Sequence, residues 1–330
     1  MGGVSRQAYA ATLPPDRFHC LLDDLPLHLI PRRALSLLHT RGDRSQPLVL
    51  NPECTLCSDG EVPEPYANNR QLLSGFAPQG TVAWMRDPLN ETCHPFWLGP
   101  QIESVLRDLR PGERVRDIAP NLCAVLSAAH ILIAEGEAER RRRERQDMIG
   151  RAGRAFREKG YAPLENLIHP FHVAALRRYY RYLIRTGAIK LGDGQSPRRY
   201  VAHNEPAARF FHHQIAPTLS AVAGEPLKPS YVYLASYLSG ADLKKHTDRA
   251  QCEFSVTLCL DFSPEPAGET PWPIQLDTDA GTVSVYQALG DGLAYCGTRL
   301  PHYRDVLGES QTSTSIFFHY VSADFEGSLE

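Results

Sequence analysis

The sequence predicts an α+β protein: a jelly roll of two packed sheets with flanking helices in the C-terminal part, preceded by a smaller N-terminal α+β domain carrying a winged-helix-like segment. Two observations predict it. Beyond Glu225 the chain turns into short β-rich runs, at 230–238, 254–262, 274–276, 281–287, 292–295 and 314–321, separated by Gly, Pro and Asp. Ahead of them lie helical repeats. Helices followed by six or more short strands is an α+β order, and the strand density suits a closed or double-sheet jelly roll.

Taken in order, residues 1–94 read as short strands and loops, with apolar pieces such as Pro47-Leu-Val-Leu50 and Thr81-Val-Ala-Trp-Met85 between Pro, Gly and Asn. From Pro95 the pattern sharpens into Phe96-Trp-Leu98, then Ile102, Val105, Leu106 and Leu109 at helical spacing, a Pro111-Gly112 turn and a second apolar run over 118–133. Strand, helix, turn, helix is the winged-helix-like order, similar to the small peptide-binding domains that accompany peptide-modifying enzymes. The arginine-rich stretch 139–146 continues as a helix toward Phe156, and such a charge run reads as a solvated helical face. Residues 160–167 read as a strand, and 172–184 and 205–223 as helices. These readings divide the chain at 137/138, into an N-terminal domain with a possible docking role for a peptide or other substrate and a second domain over 138–330 whose jelly-roll core spans about 226–322.

A net charge of −3 with 22% charged residues excludes a globally basic nucleic-acid binder. No run approaches the ~20 apolar residues of a membrane span, and Met1 to Ala10 lack the features of a signal peptide. The reading is a cytoplasmic protein that binds neither membrane nor nucleic acid. Its eight cysteines are thin for 330 residues and read as free thiols.

The chemistry-bearing stretch is Lys244-Lys-His-Thr-Asp-Arg-Ala-Gln251. If it is extended, His246 and Asp248 project to one side, because alternate side chains of a strand share a face. An imidazole and a carboxylate so placed suit adjacent positions on a divalent transition metal, and a second imidazole completes the two-histidine, one-carboxylate facial triad. His302, after the intervening strands, is the candidate.

On His246-Thr-Asp248, the distal His302, the tyrosine strand Tyr231-Val-Tyr233 to Tyr237 and the closing strand Ser313 to Val321, the part from about 150 to 330 resembles the Fe(II)/2-oxoglutarate-dependent dioxygenases of the prolyl-hydroxylase and phytanoyl-hydroxylase kind. The resemblance implies a double-stranded β-helix, with Fe(II) held by His246, Asp248 and His302, and 2-oxoglutarate and O2 as co-substrates. It also implies oxidative decarboxylation to succinate and CO2, coupled to hydroxylation of an unactivated C–H bond of a small-molecule, amino-acid or peptide substrate. Such families commonly hold the far carboxylate of 2-oxoglutarate with a cation on the strand after the distal histidine, where this chain has Ser310-Gln-Thr-Ser313. The nearest cations are Arg304 and Arg299; Arg304 shares a strand face with His302 and is preferred, with Tyr233, Tyr237 and the hydroxyls of Ser313 or Ser315 completing the cofactor contacts.

Plainer readings stand beside these. His246 and Asp248 suit an exposed turn, Arg304 a salt bridge with Asp305, and His319 competes with His302 as distal ligand. Cys54 and Cys57, with Cys93-His94 downstream, are either loop thiols or part of a structural zinc site. His212-His213, on a helix where adjacent residues face apart, read as surface and partial core, and Tyr179, Tyr180 and Tyr182 as helix packing. Trp272, Tyr295, Arg198 and Arg199 are candidate pocket walls. The rival function is a metal-free jelly-roll binding or regulatory protein in which the winged-helix-like segment recognises a peptide or DNA.

Overall fold

Alternation of inward and outward side chains organises the larger unit of the chain. The computed structural model describes residues 13–38, 47–58, 60–67, 69–87 and 91–330, and divides them into one unit up to Gln146 together with His169–Tyr179, and a second made of Asp147–Ile168 and Tyr180–Glu330. Among the described residues, no helix is long and apolar enough to cross a membrane.

In the first unit, β1 (Leu48–Leu50) pairs with β5 (Leu132–Ala134), and β2 (Cys54–Cys57), β3 (Val82–Arg86) and β4 (Cys93–Trp97) form an antiparallel sheet; α1 (Glu64–Ala67), α2 (Pro100–Leu106) and α3 (Pro120–Ala128) complete it. The segment from Pro95 differs from the strand, helix, turn, helix reading at its last element. The apolar run 118–133 is helix α3 followed by strand β5, broken at His130, whose φ of 57° lies in the left-handed region. Helix α4 (Glu137–Lys159) carries the arginine run, and i,i+4 pairs from Arg140 to Glu144 (3.0 Å) and Arg141 to Glu137 (2.9 Å) make it a solvated, ion-paired face.

Three buried histidines pin this unit. The His169 ring donates from Nε2 to the Ala128 carbonyl (2.9 Å) and accepts at Nδ1 from the Phe171 N–H (3.1 Å). His94 Nε2 accepts from the His169 N–H (3.1 Å), and His172 Nε2 donates to the Pro95 carbonyl (2.9 Å). Burial pushes His172 down to about 3, and holds His94 and His169 well below the usual histidine range. A histidine with a depressed folded pKa takes its proton first in the unfolded chain, so its stabilising effect is complete above the unfolded value of about 6.5 and is lost as pH falls below it. The loss is at most about 1.4 kcal/mol per pH unit for each histidine. Urea unfolding followed at Trp84 and Trp97 should therefore shift to lower midpoints between pH 7 and pH 5; an unchanged midpoint would count against the neutral-histidine core.

In the second unit, β6 (Tyr161–Leu164), α5 (Pro170–Arg185, whose first ten residues belong to the first unit), β7 (Lys190–Leu191), β8 (Arg199–His203) and α6 (Pro206–Ala223) lead into eight strands. These are β9 (Leu227–Tyr237), β10 (Leu243–His246), β11 (Phe254–Ser263), β12 (Ile274–Thr278), β13 (Gly281–Val285), β14 (Gly292–Cys296), β15 (His302–Arg304) and β16 (Thr312–Ser322). They form a seven-stranded sheet ordered β6-β14-β11-β16-β9-β8-β7 and a four-stranded sheet ordered β10-β15-β12-β13, all neighbours antiparallel. Strands β9 to β16 distribute between the two sheets in jelly-roll order.

The large sheet buries both faces. On one, Tyr237, Cys259 and Phe317 pack with Trp272 and Leu307, while Leu293 and Tyr295 pack with Ile274 and Leu276 of the small sheet. On the other, His212 of α6 lies against Phe318 and Tyr320, with ring centroids 5.9 and 4.6 Å away, and donates from Nε2 to the His319 carbonyl (2.7 Å). Helix α6 starts on Glu205, which accepts the Ala208 N–H (3.0 Å), and stops at Gly224, whose φ of 85° suits a residue without Cβ. His212 is thus a core histidine. Tyr179 and Tyr180 are buried likewise. Strands β7 and β8 lie outside the sequence reading, whereas β10 and β15 fall where it places His246 and the His302–Arg304 face.

Candidate active site

A cavity of about 400 Å³ opens between the two sheets, and its wall includes His246, Asp248, His302, Tyr233, Tyr237 and His319. Strand β10 ends at His246, so Asp248 is not on an extended strand as expected. It sits in the following loop, where its N–H donates to the Gly297 carbonyl (2.9 Å). His246 and His302 reach the same place by another route: they are direct cross-strand partners of β10 and β15, with ring centroids 4.4 Å apart.

Both rings are oriented by their own backbones. His246 Nδ1 lies 2.7 Å from the Lys244 carbonyl and His302 Nδ1 lies 2.9 Å from the Leu300 carbonyl. A carbonyl can only accept, so both Nδ1 atoms carry hydrogen, and in the neutral rings the Nε2 lone pairs are left to converge on Asp248 Oδ1, at 3.6 and 3.5 Å. The three ligand atoms lie within 4.8 Å of one another. Two lone pairs facing a carboxylate oxygen repel unless a cation or proton sits among them, so the donor set fits a divalent metal of the two-histidine, one-carboxylate class. Burial alone would raise the Asp248 carboxyl; when a proton takes the place of a metal on the Nε2 atoms, hydrogen bonds from His246 and His302 hold the carboxyl far below the usual carboxylate range.

Around this group lie Ser255 and Gly297, which the sequence did not single out, and His319, which it offered as the competing distal ligand. Ser255, the second residue of β11 and fully buried, places Oγ 3.2 Å from Asp248 Oδ2 and 2.8 Å from His319 Nδ1. Gly297 leaves no room for a side chain, since a Cβ there would stand 2.4 Å from Asp248 Oδ2 and 2.4 Å from the Cys252 carbonyl. His319 sits where the pairing of β16 with β9 shifts register between Phe318 and Tyr320, and burial pushes it down to about 4. It belongs to a second set with Asp248 and Cys252, also within 4.8 Å, rather than to the set of His246 and His302. A bulge and a cross-strand serine leave no periodic signal to read.

The candidate cofactor residues divide. Tyr233 and Tyr237 line the cavity. The Tyr233 hydroxyl donates to Asp193 Oδ2 (2.5 Å), which also takes Arg199 Nη2 (2.5 Å), while Arg199 Nη1 donates to the Tyr237 hydroxyl (3.1 Å). Arg199 is therefore neutralised within the protein. Arg304 is 4% exposed and lies beneath the cavity surface rather than on it, stacked 4.8 Å over the Trp272 ring with Nη1 donating to the Trp272 carbonyl (2.6 Å). Its Nε has no hydrogen-bond partner among the described residues. The salt bridge with Asp305 does not form: the Asp305 carboxylate accepts from Gln275 Nε2 instead (3.3 Å). Burial lowers the Arg304 pKa. Ser313 and Ser315 are buried on β16, and Ser315 Oγ has no hydrogen-bond partner among the described residues. Arg299 is exposed and is not part of the cavity wall. Of the other candidate walls, Tyr295 and Arg199 line the cavity, whereas Arg198 donates to the Ser239 carbonyl (3.0 Å).

Cys54, Cys57 and Cys93 are buried free thiols in the three-stranded sheet, and among the described residues they join no group of three metal-ligating side chains. Burial pushes Cys54 and Cys93 up to about 12, which keeps them protonated.

No protein-family model matches the chain, and no curated protein matches it. Solved structures similar to it include the non-heme α-ketoglutarate-dependent epimerase SnoN from nogalamycin biosynthesis, at 14% identity and a TM-score of 0.46, covering 54% of this chain and 84% of that one. AviO1 from Streptomyces viridochromogenes Tue57 is similar at 18% identity and a TM-score of 0.45, covering 54% of this chain and 97% of that one. A Pseudomonas putida prolyl-4-hydroxylase is similar at 18% identity and a TM-score of 0.42, covering 52% of this chain and 99% of that one.

Proposed function

We propose that this protein is a non-heme Fe(II) and 2-oxoglutarate-dependent oxygenase that hydroxylates an unactivated C–H bond of a small-molecule, amino-acid or peptide substrate. One observation carries the reading: two imidazole Nε2 atoms, freed by Nδ1 hydrogen bonds to Lys244 and Leu300, converge with Asp248 Oδ1 on the wall of a jelly-roll cavity. When bound, Fe(II) with 2-oxoglutarate and O2 supplies the oxidising power, releasing succinate and CO2. Everything else is the work of the chain. His246, His302 and Asp248 hold the metal through three atoms on one side. Asp248 keeps a carboxylate where a halide would have to bind, which favours hydroxylation over halogenation.

Arg304 is the residue proposed to receive the far carboxylate of 2-oxoglutarate, with Ser315 assisting. A buried guanidinium with an unused donor is costly unless an anion joins it, and a buried carboxylate has the same need of a cation. Tyr233, Tyr237 and the Arg199–Asp193 pair form a rigid polar wall beside it. Tyr231 and Arg249, joined by a 2.9 Å hydrogen bond, also line the cavity.

The test is anaerobic Fe(II) titration followed by a substrate panel scored for succinate. About one equivalent of Fe(II), with succinate formed on admitting O2 in the presence of a substrate, is the expected result. Absence of iron uptake would leave the metal-free binding protein. The assignment of the distal ligand has its own check: His302→Ala should abolish iron uptake, whereas His319→Ala should retain it and mainly lower stability. The reverse result would move the site one strand along.

A further inference from the structure

We infer that Ser255 is a positioning residue that turns Asp248 so that only one carboxylate oxygen faces the His246–His302 pair. The inference rests on the oxygenase reading above. Asp248 Oδ1 stands 3.6 and 3.5 Å from the two Nε2 atoms, whereas Oδ2 is turned away to Ser255 Oγ at 3.2 Å. The two oxygens thus have separate partners.

Hydrogen bookkeeping fixes the direction of the contact. Ser255 has one hydroxyl proton, and an ionised Asp248 can only accept. The arrangement that satisfies all three groups has Ser255 donating to Asp248 Oδ2 at 3.2 Å, the charged and nearer acceptor beside the Cys252 carbonyl at 3.4 Å, while its oxygen accepts the Nδ1 proton of His319, 2.8 Å away. Ser255 is itself held from both sides, paired with Tyr295 of β14 and with His319 of β16 in the middle of the large sheet. A side chain on a central strand moves little, so the carboxylate plane is set by the sheet rather than by its own loop. Gly297 closes the remaining freedom: its carbonyl takes the Asp248 N–H, and the absence of a Cβ lets Oδ2 lie against the backbone.

Without the hydroxyl, the carboxylate is free to rotate and present both oxygens to a metal. A second oxygen there would take a position that the co-substrate needs. Removing Ser255 Oγ should therefore damage 2-oxoglutarate binding even in protein fully loaded with iron, a defect that general loss of packing does not produce.

Ser255→Ala removes one buried atom, and Ser255→Thr restores the hydroxyl. Each full-length variant is loaded anaerobically with Fe(II), assayed for bound iron, and titrated with 2-oxoglutarate by the visible charge-transfer absorption of its Fe(II) chelate. At saturating Fe(II) Ser255→Ala should still load about one equivalent of iron, though with affinity lowered by up to the roughly 10- to 100-fold that loss of an outer-shell partner costs, and the iron-loaded variant should bind 2-oxoglutarate roughly 10-fold or more weakly than the iron-loaded wild type. Its chelate absorption should be altered, and Ser255→Thr should recover toward the wild type. Wild-type 2-oxoglutarate affinity and spectrum in Ser255→Ala would overturn the inference, as would equal loss of iron and 2-oxoglutarate in both variants. If the wild-type protein itself binds no iron, the oxygenase reading fails instead, and the two failures are told apart by that first measurement.

Discussion

Asp248→Ala should lose its iron and its 2-oxoglutarate turnover while the jelly roll stays folded. Outer-shell changes alone cost about 10- to 100-fold in metal affinity, so loss of the only charged ligand should cost at least the upper figure. The fold should survive because Asp248 lies in the loop after β10, outside the apolar clusters between the sheets, and its Oδ1 faces two imidazole lone pairs that gain nothing from it when no cation is present. The Asp248 side chain is only 13% exposed, so the loss should be that of its bond from buried Ser255, about 1–3 kcal/mol, which a domain of ordinary stability, about 5–15 kcal/mol, survives. The measurements are bound iron after anaerobic loading, succinate production, and the thermal midpoint of the metal-free protein. One equivalent of iron with full turnover in the variant would remove the facial-triad assignment, whatever the fold looks like.

Arg304→Met should raise the apparent KM for 2-oxoglutarate by about 10²-fold or more, the scale of truncating one partner of a buried charge pair. The KM for the primary substrate should change far less. Arg304→Lys should fall between, because a lysine keeps the charge but not the planar fork. The same substitution carries an opposite expectation for stability. With no carboxylate partner among the described residues and an unused Nε, the guanidinium of the metal-free protein is buried at a cost, and methionine of similar volume removes that cost while keeping the contact with Trp272. The metal-free Arg304→Met protein should therefore be at least as stable as the wild type. Unchanged 2-oxoglutarate dependence would move the carboxylate site to Arg249, or to Arg199 despite its pairing with Asp193.

The sequence by itself determined what could be read from short-range pattern. Periodicity located α5, α6 and the strands from β9 to β16 that are five residues or longer, because burying one face of a strand or helix dictates its spacing of apolar residues. Residue chemistry picked out His246, Asp248 and His302 from 13 histidines and 38 acidic residues. Two things escaped periodicity. Strands of three or four residues, such as β10 and β15, are too short to show a period, and those two carry both histidines to the cavity. The same-face argument for His246 and Asp248 also gave the right neighbours by the wrong route, since the strand stops at His246 and the Gly297 carbonyl positions Asp248.

Tertiary structure alone decided which atoms face the site. Cross-strand register set His246 opposite His302, and the carbonyls of Lys244 and Leu300 chose the nitrogen each ring presents. Ser255, His319 and Gly297, distant in sequence from one another, meet around one carboxylate. Whether Arg304 was spent on Asp305 or left without a carboxylate depended on the indole and carbonyl of Trp272, 32 residues away. Local pattern reports the energy of burying a face; the direction of a lone pair or a donor depends on contacts between strands that the chain brings together only when the sheets close.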